Sequence, residues 1–185
     1  MKATISHRVR AILVGVFLLV AYGVLASSIT QQKFVVMAAD VISGLAVIGI
    51  AVLMFPLFKP VKRSVSIAYL ALKYAEGILM IIGGFVFLST STQYLRTSIY
   101  EGVHTYVFII SAFLFYYLLY KSKLVPGFIS IWGALGIFAL LVSTLLGLLQ
   151  IEYPALDYLL VLIITNEVFL AIWLMVKGFG KTMPN

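Results

Sequence analysis

Cysteine is absent from the 185-residue sequence, and histidine occurs only twice. Without cysteine there can be no disulfide exchange, no thiolate nucleophile and no cysteine-ligated metal. His7 and His104 lie far apart in the chain, and no HExxH zinc motif, Walker loop or Gly-x-Ser-x-Gly nucleophile elbow occurs. We therefore predict no metal, no cofactor and no catalytic residue from these motifs.

Charge is also scarce, at 10% of the residues, whereas soluble domains carry about 25%. Hydrophobic residues make up 63% of the chain, so there is too little polar surface to cover a water-facing globule. The excess apolar surface requires lipid as its solvent, and about six helices of some 20 residues each would use most of the chain. The composition predicts an all-α membrane protein with a single domain over residues 1–185.

Six continuous apolar stretches predict a bundle of six transmembrane helices. Their length and lack of alternation exclude the strands of a lipid-facing barrel, and lipid-exposed backbone must be hydrogen-bonded within its own segment. The connections are short, and the longest is predicted over Ser89–Gly102. The predicted helices cover approximately residues 9–26, 34–58, 65–88, 103–120, 128–149 and 156–178.

The basic residues are distributed unevenly between the two ends of these helices. One end of the helices carries most of the basic residues. The other end has only Lys33 and Arg96, beside Glu101, Glu152 and Asp157. The positive-inside rule therefore predicts that both termini are cytoplasmic. Short basic pairs beside a membrane indicate anionic lipid headgroups as partners and no nucleic acid. Ten of the 13 Lys and Arg residues share one end: Lys2, Arg8, Arg10, Lys59, Lys62, Arg63, Lys121, Lys123, Lys177 and Lys181.

The first apolar stretch has an alternative interpretation. Basic residues, an apolar run and Val24-Leu25-Ala26 before Ser27 resemble a secretory signal peptide with a cleavage site. The run of about 16 residues is slightly long for a signal peptide, so we expect this segment to be retained as a transmembrane helix.

Several segments resemble the DUF4386 family of small bacterial membrane proteins. The resemblance implies a multi-helix protein of the bacterial inner membrane and implies no activity. The family usually has Arg where this chain has Lys73, so a charge is kept but bidentate geometry is lost. The segments are Leu118–Pro126 followed by Trp132-Gly133, Glu167–Phe179, Ala46–Ala51 with Pro56, and Tyr69–Glu76.

Four ionisable side chains lie inside the apolar stretches: Asp40, Lys73, Glu76 and Glu167. Each charged residue at a helix centre costs about 2.5–3.5 kcal/mol on insertion scales, so the four together would cost on the order of 10 kcal/mol if unpaired. We therefore expect them to face the interior of the bundle and to meet one another.

Helical spacing supports this convergence. Lys73 and Glu76 are three residues apart and can pair directly. At 1.5 Å per residue, Glu76 and Glu167 lie about 18 Å and about 17 Å from the outer ends of their helices, and hence at nearly the same depth. The third helix carries one stripe at intervals of four, three, four and three residues, formed by Tyr69, Lys73, Glu76, Met80 and Gly83.

Three further side chains complete the predicted site. Asn166 adjoins Glu167 and is expected to complete its hydrogen bonding. Asp40 lies about 9 Å below the outer face, and His104 begins the fourth helix. We expect Asp40 and His104 to form the outer entry of a polar pocket that leads to Lys73, Glu76 and Glu167.

The charges of the site suggest its chemistry. Lys73 can neutralise only one of the three carboxylates, so another cation binds or at least one carboxylate keeps a proton. This balance favours a small-molecule or ion binding or transport protein coupled to proton or cation. Its candidate ligand-binding residues are Asp40, Lys73, Glu76, His104, Asn166 and Glu167.

Two other functions remain open. In the first, Lys73, Glu76 and Glu167 only lock the helices in register, and the protein is a structural or accessory membrane subunit. In the second, the same groups provide acid–base catalysis for a lipid-modifying enzyme. A homo-oligomer that shares the pocket across a symmetry axis is compatible with each function.

Overall fold

The computed structural model describes residues 6–90, 93–151 and 155–180, without the side chains of residues 90 and 155–160. Every regular element in these ranges is helical. In chain order, the elements are α1 (His7–Ala21), a 3₁₀ segment (Tyr22–Ser28), α2 (Lys33–Phe58), α3 (Arg63–Thr90), α4 (Gln93–Ile99), a π-helical segment (Tyr100–His104), α5 (Thr105–Ser122), α6 (Gly127–Leu148) and α7 (Ala155–Val176).

Most of the long helices have the length and composition of membrane spans. In α7 the apolar part within the described side chains, Val161–Val176, is shorter, so the sixth crossing stays a prediction. The prediction of an all-helical fold is confirmed for the described residues, and five of the predicted helices are long and apolar enough to cross a membrane. The five stretches long and apolar enough to cross a membrane are His7–Ser28, Lys33–Phe58, Arg63–Ser89, Gln93–Ser122 and Gly127–Leu148.

The prediction of a connection over Ser89–Gly102 was wrong for most of its length. Helix α4 begins at Gln93 and continues through the π-helical segment into α5, so this crossing starts ten residues before the predicted Val103. The segment lacks a continuous apolar run, and for that reason it did not appear helical from hydropathy. It is anchored instead by a polar contact, since the Arg96 side chain is buried against α2.

The six long helices form a closed ring. Each packs against its neighbour in the chain, with α4 and α5 acting as one crossing, and α7 returns to pack against α1. At this closure a Cβ on Gly15 would lie 2.6 Å from the carbonyl oxygen of Ala171. Arg8 Nη2 donates to the carbonyl of Met175 at 2.7 Å. The first and last helices are thus in direct contact.

The closest helix pair within the ring is α2 and α3, and two glycines allow it. A Cβ on Gly44 would lie 2.5 Å from the carbonyl oxygen of Gly77, and a Cβ on Gly77 would lie 2.6 Å from that of Gly44. Small residues permit such approach of helix backbones in membranes. The contact places Asp40 on α2 close to α3.

The alternating direction of the helices gathers the basic residues at one end of the ring. Besides the contact between Arg8 and Met175, the backbone N–H of Gly180 donates to the carbonyl of Leu124 at 2.7 Å. Lys33 is exposed at the other end. Of the charges in the orientation prediction, Lys2, Lys181 and Glu152 lie outside the described residues, as does the side chain of Asp157.

The basic end of the ring is filled by an apolar core. Phe58 at the end of α2 packs edge-on against Tyr69 on α3, with ring centroids 5.6 Å apart, and against Phe115 on α5 at 5.9 Å. Leu124 and Ile129 beside the α5–α6 connection are fully buried. The intramembrane ionisable residues lie on the other side of this core.

Candidate functional site

A partly open cavity of about 220 Å³ lies inside the ring. It is bounded by α1 and the 3₁₀ segment, α2, α3, α5 with the π-helical segment, and α7. Five polar side chains reach it: Tyr22, Lys73, Glu76, His104 and Glu167. The rest of its wall is apolar and is formed by Leu18, Ala21, Val24, Val47, Ile50, Met80, Phe108, Ile163 and Ile164.

On α3 the cavity is lined by an ion pair. Lys73 Nζ donates to Glu76 Oε1 at 2.9 Å, and Ser111 Oγ on α5 donates to Glu76 Oε2 at 2.6 Å. Lys73 Nζ also lies 5.3 Å from the ring centroid of Phe108, within the range of a cation–π contact. The predicted pairing of Lys73 with Glu76 is therefore present, and Ser111 is an additional partner.

The stripe predicted on α3 faces inward along its whole length. Tyr69, Lys73, Glu76 and Met80 are each no more than 8% exposed, and Gly83 is buried against Tyr100. Intervals of three and four residues keep side chains on one face of a helix. This face provides two of the polar groups of the cavity.

Glu167 on α7 completes the acidic part of the cavity. Its Oε2 accepts a hydrogen bond at 2.8 Å from the phenol of Tyr22, where α1 passes into the 3₁₀ segment. Among the side chains that the structure describes, Glu167 forms no ion pair. A neutral donor is thus the partner of a carboxylate at mid-depth in the bundle.

The prediction that Asn166 completes the hydrogen bonding of Glu167 was wrong. Asn166 is fully buried, and its Nδ2 donates to the carbonyl of Ile129 on α6 at 2.9 Å. Consecutive residues of an α-helix point about 100° apart, because 3.6 residues make one turn. With Glu167 directed into the cavity, Asn166 is directed against α6 and does not line the cavity.

Asp40 also lies outside the cavity, in a second buried site. Arg96 Nη2 donates to Asp40 Oδ1 at 2.7 Å, and Arg96 Nε donates to Oδ2 at 2.7 Å. The guanidinium also donates to Ser27 Oγ at 2.8 Å and to the Val24 carbonyl at 3.1 Å, and it lies 4.4 Å from the ring centroid of Tyr100. The predicted role of Asp40 at the entry of the pocket is therefore not supported, because both of its carboxylate oxygens are occupied by Arg96 and its side chain does not line the cavity.

Arg96 is the residue that sequence reasoning missed. It was assigned to an outer connection, but it is 5% exposed and neutralises Asp40. A signal for it was present, because a second stripe runs at intervals of four, four, four and three residues through Arg96, Tyr100, His104, Phe108 and Ser111. Like the stripe on α3, this one uses only intervals of three and four residues, and it indicates that the fourth crossing begins before Arg96.

His104 lies in the cavity wall at the end of the π-helical segment. The carbonyl of Tyr100 accepts both the backbone N–H and, at 2.8 Å, the hydroxyl of Thr105. The imidazole lies between the rings of Tyr100 and Phe108, at 4.9 Å and 6.5 Å. Its Nε2 is buried and has no hydrogen-bond partner among the described residues. Short π-helical segments are frequent at functional sites.

The cavity and the Asp40–Arg96 site together change the charge balance predicted for the buried groups, in which Lys73 was the sole cation. Two cations, Lys73 and Arg96, face three carboxylates, and each cation pairs with one of them. Glu167 is the carboxylate that remains. Within the described side chains, no three His, Asp or Glu residues are grouped so that they could hold a metal ion.

Comparison with known protein families identifies this arrangement only at the level of a family. The model of a domain of unknown function, DUF4386, matches residues 12–178. The chain belongs to the DUF4386 family. No curated protein and no solved structure matches the chain. In this DUF4386 protein the matched range includes the whole cavity and the Asp40–Arg96 pair.

Proposed function

We propose that this DUF4386 protein binds or transports a small molecule or ion at its intramembrane cavity, and that Glu167 couples the site to a proton or cation. The observation that carries the proposal is the position of Glu167. It lines a cavity within the bundle and is hydrogen-bonded to a neutral phenol.

The reasoning rests on the cost of burying charge. An ionised carboxylate away from water is strongly unfavourable unless it is paired, and such groups otherwise keep a proton. Glu167 can satisfy this requirement in two ways, by holding a proton or by binding a cation from the cavity. A cation that enters displaces the proton, so occupancy and protonation are linked. Lys73 and Glu76 provide the adjacent neutral pair.

The orientation of the protein follows from its basic end. We propose that six helices cross a bacterial inner membrane and that both termini face the cytoplasm. Arg96 is buried against Asp40 and therefore does not count as an exposed basic residue. Within the described residues, Lys33 is then the remaining basic residue at the end of the bundle opposite the basic end, which strengthens the charge asymmetry. The positive-inside rule places the basic end in the cytoplasm.

A second candidate function is that of an accessory or structural membrane subunit. The Asp40–Arg96 pair favours it, because all three guanidinium nitrogens donate to partners and the pair links the 3₁₀ segment, α2 and α4. Such a pair is expected of a rigid scaffold. It does not explain the cavity or the carboxylate of Glu167, and we therefore rank it second.

Covalent labelling with dicyclohexylcarbodiimide tests the proposal. This apolar reagent forms adducts with protonated carboxyl groups in apolar surroundings. We expect purified protein in lipid nanodiscs to form an adduct at Glu167, to form it faster at low pH than at high pH, and to do so less at Glu76, whose carboxylate is paired. Mass spectrometry of peptides locates the adduct.

Two variants serve as controls for this experiment. Glu167→Gln should abolish the adduct, whereas Glu101→Gln, which changes an exposed glutamate on the π-helical segment, should leave it intact. Absence of an adduct at Glu167 at every pH, or an adduct whose rate does not depend on pH, contradicts the role given to Glu167.

A further inference from the structure

The size of the cavity limits what it can bind. A cavity of about 150 Å³ lined by apolar side chains accommodates benzene, and this one measures about 220 Å³. The additional volume suits a short polar group attached to a single ring. Larger molecules would require the helices around the cavity to move apart.

The wall of the cavity favours a ligand that is mostly apolar. Leu18, Ile50 and Ile163 are among its apolar lining residues, and each would be in contact with a ring placed between α1, α2 and α7. A hydrated inorganic ion would leave this surface in contact with water, whereas an aromatic ring removes it from water. The apolar part of the ligand is therefore as necessary as its charge.

The charges of the cavity select the sign of the polar group. Lys73 is already paired with Glu76 at 2.9 Å, and Glu167 forms no ion pair within the described chain. With both carboxylates ionised, two negative groups and one positive group face the cavity, so a ligand anion would be repelled. A monovalent cation gives a balanced site.

The hydrogen-bonding groups indicate an ammonium. An ammonium has three N–H donors, and a carboxylate of Glu167 accepts one of them in a charge-assisted bond. His104 also lines the cavity, and its buried Nε2, which has no partner in the described part of the chain, can accept a hydrogen bond from a ligand donor when its proton is on Nδ1. The face of the Phe108 ring already lies 5.3 Å from the Lys73 ammonium, within the range in which an aromatic face attracts a cation.

We propose that the cavity binds a small aromatic amine, that is, a protonated amine separated from a single ring by one or two methylene groups. The ammonium binds Glu167, and the aromatic ring lies between Leu18, Ile50 and Ile163. This inference rests on the proposed function, because it names the class of ligand for the same site.

Three probes of nearly equal shape test the proposal: benzylammonium, benzyl alcohol and benzoate. Binding to the full-length protein in nanodiscs is measured by calorimetry, with empty nanodiscs as the blank for partition into lipid. We expect benzylammonium to bind at least tenfold more tightly than benzyl alcohol, and benzoate not to bind. In Glu167→Gln, the preference for benzylammonium should fall to less than threefold, whereas Glu101→Gln should keep it.

Two further measurements make the result independent of a single variant. Benzylammonium should slow carbodiimide labelling of Glu167 in the unmodified protein at concentrations where benzyl alcohol does not. Ala21→Leu, which fills part of the cavity wall, should weaken benzylammonium binding at least tenfold. If the Ala21→Leu variant is folded and binds benzylammonium as tightly as the unmodified protein, the ligand binds elsewhere and the proposal is overturned.

Failure of this inference can be distinguished from failure of the proposed function. Equal binding of benzylammonium and benzyl alcohol, or no binding of any probe, overturns the aromatic-amine proposal. If Glu167 is nevertheless labelled by carbodiimide in a pH-dependent manner, the proposed function survives with a different ligand. If labelling fails as well, both are rejected.

Discussion

The two acidic sites inside the ring of helices differ in how completely their charges are matched. Asp40 receives two hydrogen bonds of 2.7 Å from Arg96, and the same guanidinium is held by Ser27 and Val24. Glu167, in contrast, receives one bond from Tyr22, and His104, which lines the same cavity, has an Nε2 without a partner among the described residues. The first site is saturated, and the second has capacity for another group.

This difference separates a structural role from a functional one. Breaking a fully matched buried pair leaves an uncompensated charge, so its removal should reduce stability. A carboxylate that faces a cavity can change its protonation or its partner, so its removal should alter binding more than stability. Lys73 and Glu76 lie between these extremes, because they form a matched pair within the cavity wall.

The largest effect is expected for Arg96→Met, which leaves Asp40 buried without its cation. We predict a loss of about 3–5 kcal/mol in the free energy of unfolding, measured by sodium dodecyl sulfate titration in mixed micelles. Lys33→Met, at an exposed cation of the same end, serves as the control. The double variant Arg96→Met/Asp40→Leu should regain much of the loss. An Arg96→Met protein of normal stability would contradict the stabilising role of the Asp40–Arg96 pair.

A smaller effect is expected for Lys73→Met. Glu76 would keep its bond from Ser111, so we predict a loss of about 2 kcal/mol in the same titration. Lys73→Arg keeps the charge and should retain most of the stability. If Lys73→Met destabilised the protein as strongly as Arg96→Met, the two pairs would be equivalent and the distinction drawn between them would fail.

Ser111→Ala should cost less again, because Glu76 keeps Lys73 when the hydroxyl is removed. We predict a loss of about 1 kcal/mol, the typical net contribution of a hydrogen bond. Ser130→Ala is the matched control, since Ser130 is 1% exposed and its hydroxyl has no partner in the described part of the chain. Equal losses in the two serine variants would show that the bond to Glu76 contributes nothing specific.

The smallest effect on stability is expected for Glu167→Gln. The amide oxygen can still accept the phenol of Tyr22, so we predict a change below about 1 kcal/mol. In the same protein, carbodiimide labelling at position 167 should disappear, and the preference for benzylammonium should fall to less than threefold. A large loss of stability without any change in ligand preference would assign Glu167 to the scaffold and favour the accessory function.

The α3 stripe shows what could be predicted locally. Lys73 and Glu76 lie on one helix, so helical periodicity alone brings them together and faces them inward. The agreement in depth between Glu76 and Glu167 depends only on helix rise and on membrane-spanning length. Both carboxylates line one cavity.

Arg96 and Asn166 show which contacts helical periodicity and hydropathy could not predict. The partner of Arg96 is 56 residues away on another helix, and hydropathy identified its segment as a connection because the segment contains few apolar residues. Asn166 was expected to form a hydrogen bond with Glu167 because the two are adjacent in sequence. Adjacent residues on a helix, however, direct their side chains about 100° apart. Tyr22 was not predicted, because its contact with Glu167 spans 145 residues.

The amino-acid sequence by itself determined that this chain is a helical membrane protein, because its apolar runs are too long and its charges too few for water to be the solvent. It also determined that buried charges must be compensated. Only the tertiary structure decided which charges compensate each other. Ion pairs between helices depend on the rotation and order of helices in the ring, and that arrangement is set by packing contacts such as Gly44 against Gly77.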